Sequence, residues 1–162
     1  MATARRVPLT EIVEDLSEIV TRIVWSVVST VDTAGRPRSR VMHPVWEIRP
    51  DLVEGVVATR PTPVKSAHLE ARPFVTCAYW SPDHDAAFLD CHVRWEREVA
   101  ARKAAWDRIA ATPPPVGYDP APLWPGGPAG DDFAALTLRP YRIQVVRGAA
   151  LAKGEPTTMW TA

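Results

Sequence analysis

The chain has 162 residues, no formal net charge at neutral pH and an apolar share of 46%. That length fits one compact domain over 1–162, since domains most often run ~100–150 residues. The apolar share supports a core without disulfides or a structural metal. Balanced charge removes the general electrostatic case for nucleic acid or an anionic membrane, and no apolar run approaches the ~20 residues that span a bilayer. The opening residues, MATARRVPLTEIVEDL, carry acids in an amphipathic pattern and lack a signal-peptide apolar core. A cytoplasmic location is expected.

From Thr10 the apolar residues Ile12, Val13, Leu16, Ile19, Val20 and Ile23 recur at helical spacing, predicting a helix over about 10–23 with Thr10 as N-cap. WSVVSTVD (25–32) is β-branched, and the turn TAGRP follows. Residues 38–48, RSRVMHPVWEI, resume an extended pattern, so the two runs read as a hairpin. DLVEGVVATR (51–60) predicts a third strand, and a short helix follows over roughly 64–71. FVTCAYW (74–80) and AFLDCHVRW (87–95) are further strands around the polar turn SPDHD. REVAARKAAWDRIA (97–110) is rich in strong helix formers. ALTLRPYRIQVV (135–146) alternates as a long strand, and the last residues can add one more. Six or seven strands, mostly hairpin-linked, predict a mainly β protein with accessory helices (α+β), closed as a small antiparallel barrel. Between the last helix and the long strand, residues 112–130 hold seven prolines and four glycines, so no regular element fits. Tyr118, Leu123 and Trp124 give that loop apolar anchors, and an ordered loop lying on the surface is expected.

Dinucleotide, P-loop, zincin and hydrolase signatures are absent. Cys77 and Cys91 belong to no CxxC pattern and read as reduced, buried thiols. Asp83, His84 and Asp85 read as a charged turn in preference to a metal site. Two segments concentrate cationic chemistry. In TRPTPVKSAHLEARP (59–73) a strand hands over to a helix beside Thr59, Arg60, Thr62 and Lys65, the makings of a phosphate site. Lysine is rare here, three residues against sixteen arginines, so Lys65 stands out. In GRPRSRVMHPVWE (35–47), Arg36, Arg38 and Arg40 alternate along a strand and share a face. Either that face is solvated, or one arginine turns inward to a phosphate held jointly with Lys65.

These two stretches, with the G-x-P-x-x-R strand ahead of the T-x5-K turn and a proline before FVTCAYW, resemble the pyridoxamine 5'-phosphate oxidase-like, FMN-binding split β-barrel superfamily over about residues 10–110. The resemblance implies a six-stranded, Greek-key split barrel that forms a homodimer and binds FMN at the dimer interface. It implies that Arg40 and Lys65 hold the phosphate, that the backbone of Val41, Met42 and His43 lies along the isoalloxazine, and that Thr59 makes polar contacts. Arg60 and Thr62 are expected to assist where Pro63 and Val64 replace the Ser-Arg often found there. Val45 stands where the oxidase has a second lysine. The oxidase's C-terminal Arg-x-His signature has no counterpart in RGAALAKGEPTTMWTA, so the vitamin-B6 oxidase itself is not expected. The function implied is a flavin-dependent oxidoreductase acting on a small molecule, with no catalytic acid or base named. Two alternatives stand beside it: a deazaflavin-dependent reductase of the same fold, and a non-catalytic flavin- or haem-binding protein.

Overall fold

A computed structural model describes residues 4–162. Helix α1 (Leu9–Ile23) buries Ile12, Leu16, Ile19 and Val20, one stripe at helical spacing. Its N-cap is Pro8, not Thr10; proline's fixed φ suits a helix start, and Thr10 falls inside the first turn. The chain leaves α1 through Val24, at φ 66° and ψ −60°, with Trp25 N–H donating to the Ile23 carbonyl at 2.7 Å. This is a γ-turn of the strained, positive-φ kind, held by a β-branched residue. It delivers Trp25 to the start of the next strand.

The strands are β1 (Arg5–Arg6), β2 (Ser26–Val31), β3 (Pro37–Met42), β4 (Val45–Arg49), β5 (Leu52–Thr59), β6 (Phe74–Trp80), β7 (Ala86–Glu96), β8 (Ala134–Val146) and β9 (Thr158–Thr161). Helices α2 (Pro63–Ala71), α3 (Val99–Ala111) and α4 (Gly148–Leu151) complete the mixed, strand-rich fold. The hairpin of β2 and β3 forms as expected. The extended run 38–48 does not stay whole. It divides at His43–Pro44, because Pro44 has no N–H to donate to a ladder, and β4 pairs with β5 instead of β2. The strand count also exceeds six or seven, reaching nine among the described residues through that division and the short terminal pair β1 and β9.

The ladder runs β3-β2-β6-β7-β8, then on to β5 and β4. Its two ends, β3 and β4, are separated only by His43 and Pro44, so the sheet curls until its ends meet at that dipeptide. β8 is the hub: along one edge it pairs with β7, and along the other with β5 and then β9. Pro140 interrupts its β7 ladder, and the register shifts opposite it between Asp90 and Cys91. The curled interior takes Val28, Val57, Val75, Leu89, Leu138 and Ile143 and is closed by α1. Cys77 and Cys91 are free thiols in that core. Burial and the neighbouring Cys77 push the Cys91 thiol well up.

A second core lies outside the curl. Ala105 and Ile109 of α3 meet Val45, Val56 and Ala135 there, and Trp124 and Phe133 insert beside them. The segment 112–130 is therefore pinned to the sheet by Trp124, with one short 3-10 turn at Gly127–Ala129. The turn 81–85 is built on ion pairs: Arg22 reaches Asp83 at 2.9 Å and Asp85 at 2.7 Å, and Arg147 reaches Asp85 at 3.3 Å.

Candidate functional site

Where the two ends of the sheet meet, the chain leaves a cavity of about 550 Å³. Trp25, Arg40, Val41, Met42 and His43 line one side, Ala58, Thr59, Arg60 and Lys65 the other, and Tyr118, Leu123 and Trp124 close the third. Seven of the eight residues singled out in the sequence thus face one space. Thr62 does not. It is the exposed N-cap of α2, and its backbone N–H turns back to the Arg60 carbonyl at 2.9 Å.

The cationic wall follows from two elements. On β3, Arg38 and Arg40 share the inward face, opposite Thr30 and Val28 of β2. Arg40 lies deeper and is half-buried, whereas Arg38 is exposed. Arg36 precedes the strand and is bound by Asp32 at 2.8 Å. Of the three alternating arginines, Arg40 alone lines the cavity. Lys65 enters from the first turn of α2, where Pro63 sits at the helix start and suits it. Its ammonium donates to the Thr59 hydroxyl, and to the Arg60 carbonyl at 2.9 Å.

Neither Arg40 nor Lys65 forms an ion pair among the described residues, and the cavity lining holds no Asp or Glu. Lys65 is 8% exposed. Burial, with the Arg40 charge nearby as the second cause, lowers its pKa from 10.5 to about 8. Arg40 is likewise penalised by burial. Its Nη2 donates to Thr30 Oγ1 at 3.0 Å, but its buried Nη1 has no partner. Two desolvated cations side by side, with one N–H group unspent, form an incomplete electrostatic arrangement that an anion would complete.

The other walls are aromatic. His43 lies between Trp25, 4.9 Å away between ring centroids, and Tyr118 at 4.8 Å. Burial lowers the His43 pKa, partly opposed by the Val116 carbonyl, so the ring is neutral near pH 7. The loop that brings Tyr118 is fixed by Trp124 in the outer core and by Arg60, whose Nη2 donates to the Leu123 carbonyl at 3.2 Å. Trp25 escapes a sequence reading, and Tyr118 is read there only as an anchor of its loop. Only the curl of the sheet and the fold of the loop bring the two to His43.

The fold is that of the pyridoxamine 5'-phosphate oxidase-like FMN-binding proteins. A Clostridium acetobutylicum protein related to general stress protein 26 of B. subtilis, of the pyridoxinephosphate oxidase family, superposes with a TM-score of 0.69 at 13% identity, over 85% of this chain and 89% of that one. A pyridoxamine 5'-phosphate oxidase-related, FMN-binding protein from Nostoc punctiforme gives 0.60 at 13% identity, over 92% and 87%. An F420 reductase gives 0.53 at 16%, over 78% and 94%. No family profile and no curated protein matches the sequence.

Proposed function

We propose that the chain is a flavin-dependent oxidoreductase that binds FMN by its phosphate in the cavity between β3, β5 and α2. The carrying observation is the pair Arg40 and Lys65: buried or half-buried, mutually repelling, and faced by no carboxylate. Arg40 and Lys65 hold the phosphate, Thr59 orients Lys65, and Arg60 guards the mouth. Val41, Met42 and His43 supply the wall along which the ring lies. Tyr118, Leu123 and Trp124 exclude water from it. Bound flavin supplies the two-electron chemistry, and the protein supplies position and electrostatics.

With β3 and β4 counted as one bent strand, the ring β2, β3–β4, β5, β8, β7, β6 is a six-stranded split barrel. Its outer face leaves Trp25, Val27, Val41 and Trp80 exposed, with Val27 opposite Val41 on one side and Ala78 on the other. Trp25 and Val41 also line the cavity. A second copy of the chain seated on this apolar face would complete the cavity wall, and we assign it the homodimer interface. The match to an F420 reductase favours a second reading, in which a deazaflavin coenzyme occupies the same clamp and its acidic tail meets Arg60 and Arg38 at the exposed edge.

The absorption spectrum of the purified protein, before and after titration with FMN and with the deazaflavin coenzyme, separates these readings; a protein that binds neither sinks both. Lys65→Ala is expected to weaken FMN binding by roughly 1.5–3 kcal/mol, the range for a charge-assisted hydrogen bond. Unchanged affinity would remove Lys65 from the phosphate site. Reduction of the bound cofactor by NAD(P)H, or its reoxidation by an acceptor, distinguishes an enzyme from a flavin carrier.

A further inference from the structure

We infer that Thr30 and His68 form a brace that aims Arg40 at the phosphate, so that helix α2 positions both halves of the clamp. The inference rests on the phosphate reading above and names the residues that position it. Thr30 Oγ1 accepts from Arg40 Nη2 at 3.0 Å and lies 3.1 Å from His68 Nδ1. Both residues are buried, at 1% and 7% exposure. His68 is three residues beyond Lys65 on α2, so the two share a helix face. One points into the cavity, and the other reaches Arg40 from behind through Thr30.

The chemistry of the brace suits its place. A free arginine samples many rotamers, and fixing it before a ligand arrives removes an entropic cost from binding. A carboxylate would fix it too, but would cancel the charge and compete with the incoming anion. A neutral hydroxyl orients the guanidinium and leaves its charge intact. Thr30 has one proton to give. Donated to His68 Nδ1 at 3.1 Å, in preference to the Arg38 carbonyl at 3.4 Å, it leaves both hydroxyl lone pairs to Arg40. The imidazole thereby holds the hydroxyl in the rotation that accepts from the arginine.

FMN and riboflavin differ only in the phosphate, so their affinities isolate the clamp. Both are titrated by flavin fluorescence into wild type, Thr30→Val, Thr30→Ser, His68→Ala and His68→Asn. Wild type should prefer FMN. Thr30→Val should lower FMN affinity about tenfold, the lower end of the range for one charge-assisted contact, with riboflavin unchanged. Thr30→Ser keeps the hydroxyl and should retain the preference. His68→Ala should follow Thr30→Val, and His68→Asn, whose amide occupies the place of Nδ1, should recover binding. In an Arg40→Ala background Thr30→Val should add nothing. A wild type indifferent to the phosphate, or binding neither flavin, overturns the FMN reading on which the brace rests. A wild type that prefers FMN, with Thr30→Val showing no loss or losing both flavins equally, overturns the brace alone; should His68→Ala not fold, the Thr30 variants and His68→Asn still decide.

Discussion

Lys65 combines deep burial with a charge that nothing in the ligand-free cavity neutralises, and its titration is the residue-scale test of the site. Its pKa is about 8 in the fold against 10.5 for an unperturbed lysine. Between those values this lysine binds more protons in the unfolded chain than in the folded one. Its contribution to the stability of ligand-free protein should therefore rise with pH through that window, against the opposite contribution of the Cys91 thiol that burial pushes up. Saturating FMN favours the ammonium and should flatten the rise. Urea denaturation of wild type and Lys65→Met across pH 8–10.5, with and without FMN, isolates the lysine's share, and equal ligand-free slopes in the two proteins would contradict the burial argument. Lys65 and Arg40 are legible in the sequence. A rare lysine after a strand-ending threonine, and an arginine at an alternating position, carry their meaning locally. Thr30 and His68 are not, because a threonine inside a β-branched run and a histidine in a short helix look like packing until the fold brings them within 3.1 Å.

At the scale of elements, the loop 112–130 decides how closed the cavity is. Its first turn depends on Gly117, whose N–H donates to the Pro113 carbonyl at 2.9 Å. A Cβ there would sit 1.6 Å from the Thr112 carbonyl oxygen, a backbone atom that cannot step aside. Gly117→Ala should therefore displace Tyr118 from His43 and cost roughly 1–3 kcal/mol of stability, the range for overpacking. It should also weaken riboflavin and FMN alike, since the ring wall and not the phosphate clamp is disturbed. Thermal denaturation and paired flavin titrations check the two effects, and a variant with unchanged stability would show that the loop can relax. The existence and anchoring of this loop are readable from its prolines and its isolated aromatics. The break of 38–48 at Pro44 is harder to read. Alternation continues across the proline, and only the pairing of β4 with β5 shows that the chain has changed partners.

At the scale of the whole molecule, the apolar outer face of β2, β3 and β6 is an unfinished feature. Trp80 is 61% exposed and Val41 64%, unusual for large apolar side chains facing water together. Trp80→Glu, a change outside the cavity lining, should shift the protein from dimer to monomer in sedimentation. Flavin affinity should fall with it if the partner completes the wall. A wild type that sediments as a monomer would remove the interface. The strand-rich α+β class is legible from strand patterning and turn spacing, and the dimer is an expectation of the resemblance alone. No composition signal separates a tryptophan of a core from one on a shared face.

The hub position of β8 has a consequence for how the protein is made. Leaving the ribosome from its N-terminus, the chain presents β5 and β7 well before Ala134 emerges, and each must wait for β8 to cover an edge. During that interval a growing polypeptide carries two bare strand edges, the kind of surface that recruits other chains. Fragments halted before residue 134 should accumulate in the insoluble fraction, whereas those extended through Val146 should remain in solution. Fractionating a series of stalled nascent chains would locate the transition, and soluble fragments ending ahead of β8 would show that something else shields those edges.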